Sequence, residues 1–391
     1  MNRINAVLSL LAVLVAGLAH GVQARPLKIC LTGSTEGIIP TYGEAFKNGA
    51  LLAVEEMRDS AKSLQAEVQT HFYEATPLAS ARATERMIAD GCAVLIGYST
   101  MNELLGAQEV ARKNPIPILS IYGERDERFK DTPYVMTLQP SATYLVNRFA
   151  PYLRALVKGA KKRKALILTA VDHQGVLEYK ERYQQLLKKW GYKVETLDFL
   201  ERLFDTEALR RERSTKLLDY DVVFLLARSV NAANFTDLLT ELGAKPNRPL
   251  LVGTKNLGSA QLPALLDRLK HKDVSVYFPR YSCTTETRNR YPEFVARYRK
   301  RFEKEPMIIS GETYDAVGYV MAAAKKLSNV GNGPIGRQEL LTALGTVRFH
   351  GITGTRFQPG FQTKYDGHFF IHVTKDGYTD VTHKRPSTLA E

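Results

Sequence analysis

Residues Cys92 to Ser120, CAVLIGYSTMNELLGAQEVARKNPIPILS, decide the fold. Cys92–Gly97 is almost wholly apolar, as a strand covered on both faces should be. Tyr98-Ser99-Thr100 interrupts the run at a turn. Met101–Lys113 reads as a helix, and Ile116–Ser120 as another apolar strand. A strand, a helix and a further strand in this order make the repeating unit of a parallel sheet with its helices on both faces.

The same alternation extends in both directions. Upstream, Leu27–Gly33 is a strand, and Tyr42–Met57 (YGEAFKNGALLAVEEM) is a helix whose Phe46, Ala50, Ala53 and Met57 share one face. Glu67–Tyr73 is a strand and Ala79–Asp90 a helix. Downstream the rhythm restarts. Helix 144–157, strand 164–169, helix 178–190 and strand 193–199 are followed by helix 207–218, strand 221–226, helix 232–242 and strand 249–252. An extended segment at 274–278 leads away to helices at 292–302, 311–327 and 337–344. The tail, 350–381, reads as strands and turns. No low-complexity linker separates the two series. The expectation is an α/β molecule of two lobes, each a mostly parallel sheet flanked by helices, sharing several chain crossings.

The chain has 391 residues, 44% hydrophobic and 24% charged, the balance of a folded soluble protein rather than a fibre, a disordered tail or a polytopic membrane protein. Residues 1–24 read as a secretory signal peptide: Arg3, the uncharged run Ala6–Ala19, then small residues at Val22 and Ala24 before a cut near Ala24. That run is shorter than the roughly 20 residues that span a bilayer. The expected product is therefore exported to the periplasm and not embedded in a membrane. The formal net charge is +13, but export argues against a nucleic-acid partner. The densest basic run, Lys158–Lys164, falls between a helix and a strand. It reads as a solvated helix end that favours the helix dipole, or as a docking point for an anionic surface.

No nucleophile elbow, phosphate loop or paired-cysteine metal spacing occurs. No enzyme activity, cofactor or metal is expected. Asp172-His173 is too local to make a dyad, and His368 and His372 lack a third ligand. Open α/β sheets take ligands beyond the carboxyl ends of their strands. Those ends are 33–42, 98–102 and 121–125 in the first series, and 171–175, 228–231 and 254–258 in the second. The helix after Tyr98-Ser99-Thr100 offers unpaired amides to a polar oxygen there.

The segments Lys28–Met57, Val94–Ser120 and Pro292–Leu327, with Gly351–Gly360, resemble type I periplasmic solute-binding proteins of the leucine/isoleucine/valine-binding class. The portions YGEAFKNGA and TYDAVGY carry most of the likeness, which runs over the whole mature chain. The resemblance implies three crossovers and ligand capture by lobe closure. It further implies delivery to an ABC permease or a membrane sensor, without catalysis, by a protein expected to be monomeric. The lobes are expected at 25–143 with 278–362, and at 144–277 with 363–391. Carried over residue by residue, the family's aromatic after the first strand falls on Tyr42. The hydroxyl that holds an amino acid's carboxylate falls on Met101, beside Asn102, and its helper falls on Glu124. In the second lobe an aromatic falls near Arg228, the acid that pairs with the ammonium on Lys255, and a further tyrosine near Gln174. A thioether and a cation in place of these anchors disfavour a free α-amino acid. Tyr42, Tyr98, Met101 and Tyr122 would instead form an aromatic and thioether wall, with Glu124, Arg228 and Lys255 as polar anchors. Such a pocket suits an apolar or aromatic solute bearing a carboxylate or hydroxyl. The competing readings pack Met101 under its own helix and pair Arg228 and Lys255 with acids. A ligand-sensing receptor is the alternative function, and a periplasmic enzyme the more distant one. Cys30 and Cys92 start neighbouring strands, either as a disulfide or as two buried thiols; Cys283 has no evident partner.

Overall fold

Alternating side chains of the first strand set up two layers. The computed structural model describes residues 25–34, 41–58, 64–73, 76–98, 100–124, 127–172, 174–200, 217–227, 249–254, 266–267, 276–280, 290–328, 330, 333–366, 369–374 and 376–382. The signal segment, Arg228, Lys255, Cys283 and the expected helix 232–242 lie outside these residues, as does nearly all of the expected helix 207–218. In β1 (Arg25–Ser34), Leu27, Ile29 and Leu31 enter one buried cluster, while Cys30 enters another on the opposite face.

The first sheet continues through α1 (Thr41–Met57), β2 (Leu64–Tyr73), α2 (Pro77–Ala89), β3 (Val94–Gly97), α3 (Met101–Lys113), β4 (Ile118–Glu124) and β5 (Val135–Gln139). Its strands are all parallel, in the order β2-β1-β3-β4-β5. The second sheet is fed by α4 (Ala142–Leu156), β6 (Lys164–Ala170), α5 (Gln174–Lys189), β7 (Lys193–Phe199), β8 (Val222–Leu226), β9 (Leu250–Gly253) and β10 (Val276–Arg280). These strands run β7-β6-β8-β9-β10, the same order repeated. The two tandem series of the sequence are thus two copies of one topology.

After β10 the chain returns to the first sheet. Helices α6 (Tyr291–Phe302), α7 (Ile308–Leu327) and α8 (Arg337–Leu344) share its core with α1. A small antiparallel sheet follows, made of β11 (Phe349–His350), β12 (Thr355–Gln358) and β13 (Gln362–Tyr365). Then β14 (Phe369–Thr374) and β15 (Gly377–Asp380) cross back and add antiparallel to β10 at the edge of the second sheet. The chain passes between the sheets three times: through α4, after β10 and before β14.

Packing follows from this order. The first sheet buries one face against α1, α6, α7 and α8, and the other against α2 and α3. The second buries one face against α4 and α5 and carries a further core on the other. Helices α1 and α7 approach so closely that a Cβ on Gly49 would stand 2.2 Å from the Ser310 carbonyl oxygen. Asp315, wholly inside α7's contact with the turn before β12, accepts from the Ile352 amide at 2.7 Å and the Thr353 amide at 3.0 Å.

Three features depart from the sequence reading. β5 was not expected at all. β4 begins at Ile118 rather than Ile116 and runs on to Glu124, because Pro115 and Pro117 lack the amides that a central strand must donate. The expected lobe boundary at 277/278 falls inside β10, whose residues 276–280 all pair within the second sheet. The cysteine alternatives resolve to one: Cys30 and Cys92 are bonded to each other, tying β1 to the turn before β3.

Candidate functional site

In an open parallel sheet of order 2-1-3-4-5 the crevice for a ligand opens where the chain leaves strand 1 in one direction and strand 3 in the other. Here that point is the carboxyl ends of β1 and β3, and by repetition those of β6 and β8. Helix α3, which follows β3, approaches α5, which follows β6. The two lobes thus come together at the helices that follow their first switch-point strands.

The first-lobe side is built around the turn after β3. A Cβ on Gly97 would lie 1.8 Å from the Thr32 carbonyl oxygen, and its φ is +141°, so glycine is required for β1 and β3 to pair to their ends. Tyr98 follows in the left-handed region with φ +65°, uncommon for a residue with a side chain. Its amide donates to the Thr32 carbonyl at 3.0 Å. That backbone turn sends the ring inward: Tyr98 is wholly buried beneath α2 and α3, its hydroxyl 2.9 Å from Thr84 Oγ1. Burial pushes the Tyr98 phenol well up, and does the same to Tyr73 at the end of β2, where the nearby Glu103 carboxylate adds to the effect.

Helix α3 then starts on a reciprocal cap. The Glu103 amide donates to Thr100 Oγ1 at 3.3 Å, and the Thr100 amide donates to Glu103 Oε2 at 2.7 Å. Glu103 is fully buried, and Ser80 Oγ donates to its carbonyl at 2.6 Å. Of the four amides that helix geometry leaves without an intrahelical acceptor, the cap takes those of Thr100 and Glu103, and those of Met101 and Asn102 complete the set. Met101 itself packs into the core with Tyr98, while Asn102 is half-buried. The cap is legible in the sequence as T-x-x-E, a signal that the strand-end reading passed over.

The remaining candidates are located by their backbones. Tyr42 is the second residue of α1, at the β1 switch point. Tyr122 and Glu124 lie at the end of β4, where the pairing with β5 slips between Ser120 and Glu124. Gln174 opens α5. On the second-lobe side, Glu178 of α5 accepts from the Thr143 amide at 3.1 Å and its hydroxyl at 2.6 Å. Arg182 Nε donates to the same hydroxyl at 2.7 Å. These bonds lock the starts of α4 and α5 together. Tyr42, Asn102, Tyr122 and Glu124 thus stand at strand ends or helix starts of the first lobe and Gln174 at a helix start of the second, whereas Tyr98 and Met101 are buried in the first lobe's core.

Among the described residues, Cys30, Cys92 and His71 form the one group of metal-type ligand atoms lying within 4.8 Å of one another. The sulfurs are bonded to each other, so neither is a thiolate that could bind an ion. Burial lowers the His71 imidazole from its ordinary value, against the opposing pull of Asp90.

Two lobes built on one repeated strand order and joined by three crossings make a bilobal α/β molecule. The chain belongs to the periplasmic binding protein family, whose profile matches residues 26–377. A search of curated proteins finds no match. Solved structures share the fold at low identity. A leucine-binding protein from Thermotoga maritima is 14% identical, with a TM-score of 0.72 over 90% of this chain and 97% of that one. A solute-binding protein of an ABC transporter from Rhodopseudomonas palustris BisB5, in complex with 3,4-dihydroxybenzoic acid, is 16% identical, with a TM-score of 0.74 over 91% and 97%. Another from R. palustris, in complex with benzoate, is also 16% identical, with a TM-score of 0.74 over 91% and 95%.

Proposed function

We propose that this protein captures a small organic solute in the gap between its lobes for an ABC-type importer. The solute is an apolar or aromatic compound bearing a hydroxyl or carboxylate, and not a free α-amino acid. The first turn of α3 carries this reading. Where the resemblance calls for a hydroxyl that holds a carboxylate, this chain has Met101, a thioether folded into the core. The positive end of α3 is already taken by the Glu103 carboxylate, 2.7 Å from the Thr100 amide. A second carboxylate there meets a like charge. A hydroxyl can instead accept from the Met101 and Asn102 amides of the first turn, beside the half-buried Asn102. A carboxylate on the solute is then left to the second-lobe cations Arg228 and Lys255, which also repel an α-ammonium. Structures of this fold hold benzoate-type acids in some cases and isoleucine in another, so the scaffold accommodates both chemistries.

Calorimetry separates the two. 4-Hydroxybenzoate or a related aryl acid should bind with a Kd of about 1 μM or below, equivalent to roughly −8 kcal/mol, while leucine gives no heat of binding. Micromolar binding of leucine, or a solute with an α-amino group found by native mass spectrometry of the protein from its source, would overturn the reading. Tyr42→Ala should weaken the bound solute without lowering the melting temperature; unchanged affinity removes Tyr42 from the site.

A further inference from the structure

At the end of the second sheet where β6 and β7 begin, α4 and α5 both terminate, and a cavity of about 740 Å³ opens between them. Its walls carry Arg154, Lys158, Arg163 and Lys189 and no acidic side chain. Its apolar part includes Leu186, Trp190 and Tyr192. Arg163 is fixed in place: its φ is +51°, its Nη1 donates to the Trp190 carbonyl at 3.1 Å, and its guanidinium lies 5.8 Å from the centre of the Tyr192 ring. The positive charge does not stop at the rim. Lys161, Lys162, Lys188 and Lys193 continue it over exposed surface.

Two acids, Asp221 and Glu195, lie at the margin of this face and are already engaged there. Asp221 accepts from the Lys162 and Lys164 backbone amides at 3.4 and 3.1 Å. Glu195 accepts from the Tyr220 hydroxyl at 2.6 Å and lies 3.6 Å from Lys193. Two helix C-termini point here, each equivalent to about half a negative charge. They offset only a fraction of the cations.

We infer that this face docks on an anionic phospholipid bilayer. The spread of cations exceeds what one small anion could neutralise and matches an extended sheet of headgroup charge. A half-buried indole with an apolar floor, ringed by long cationic side chains, is the side-chain set that anchors at a headgroup boundary. No helix among the described residues is long and apolar enough to cross a membrane, so the contact is peripheral. The face lies at the pole opposite the strand ends, so a docked molecule keeps its ligand gap open to solvent.

Trp190 is the only tryptophan in the chain, and its emission reports on this cavity alone. The mature protein, beginning at Arg25, is mixed with vesicles of equal phosphatidylglycerol and phosphatidylcholine, and with vesicles of phosphatidylcholine alone. Co-sedimentation and a blue shift of Trp190 are expected with the anionic vesicles only, and both should vanish at about 0.5 M salt. The double variant K158E/K189E, checked for unchanged melting, should bind more than about tenfold more weakly. K300E, on α6 of the other lobe, should bind as the parent does. Equal binding to neutral vesicles, or no effect of the double reversal, overturns the inference. So does a Trp190 shift with glycerol phosphate or poly-glutamate in the absence of co-sedimentation, which would mark a site for a soluble anion or an acidic protein.

Discussion

Asp315 shows how one buried charge is tolerated inside a helix contact. It accepts from two backbone amides and from the Thr353 hydroxyl, and so closes the turn at 351–354 onto α7. Burial nevertheless pushes its carboxyl up to about 6, against the pull of those hydrogen bonds. The folded state thus binds this proton more tightly than the unfolded chain, whose carboxyl titrates at the ordinary 3.8. The resulting stability is fully present below pH 4 and is lost as the pH rises through about 6, an effect on the order of 3 kcal/mol. Asp315→Asn removes the titration and turns a donor toward the Thr353 amide, so it should be less stable than the parent at every pH. Urea unfolding of both proteins between pH 4 and 7 should show the gap narrowing as the pH rises. A gap independent of pH would mean that Asp315 keeps an ordinary pKa.

At the scale of elements, the strand-and-helix rhythm of the first lobe could be read from residue pattern alone, because β3 is continuously apolar and Phe46, Ala50 and Ala53 line one buried face of α1. β5 escaped because VMTLQ is short, follows a charged stretch and is recognisable only once β4 provides its partner. The inward turn of Tyr98 was equally hidden, since no pattern marks a non-glycine residue for a left-handed backbone. The site is legible in outline, as strand ends and helix starts, but not in its chemistry. Identities in the second lobe rest on alignment through a divergent stretch, and no periodicity fixes which side chain reaches the gap. The disulfide is an element-scale clamp. Cys30 and Cys92 are 62 residues apart in sequence and enclose α1, β2 and α2. Loop-closure entropy gives such a cross-link about 4 kcal/mol. Cys30→Ala/Cys92→Ala should lower the unfolding free energy by up to that amount in denaturant titration, with ligand affinity little changed. A loss below about 1 kcal/mol would show that native contacts already confine the loop.

For the whole molecule, what matters is that neither lobe is made from one continuous stretch. The second sheet is completed only by β14 and β15, which arrive after residues 290–358 have packed on the first. β10 pairs with β14 over five residues, Val276 to Arg280, and carries the buried Val276 and Phe278. A chain ending at residue 368 should leave β10 as a bare, apolar edge, which templates pairing with other molecules. Sedimentation should find that truncated chain in aggregates; a soluble, cooperatively melting product would show that the second lobe closes without its last strands. The return of the chain also sets an order of events. However early the ribosome delivers β6 to β9, the sheet they build waits for β14 and β15, which follow the whole of the first lobe's returning segment. A translating chain therefore presents β10 without its antiparallel partner until β14 has left the ribosome.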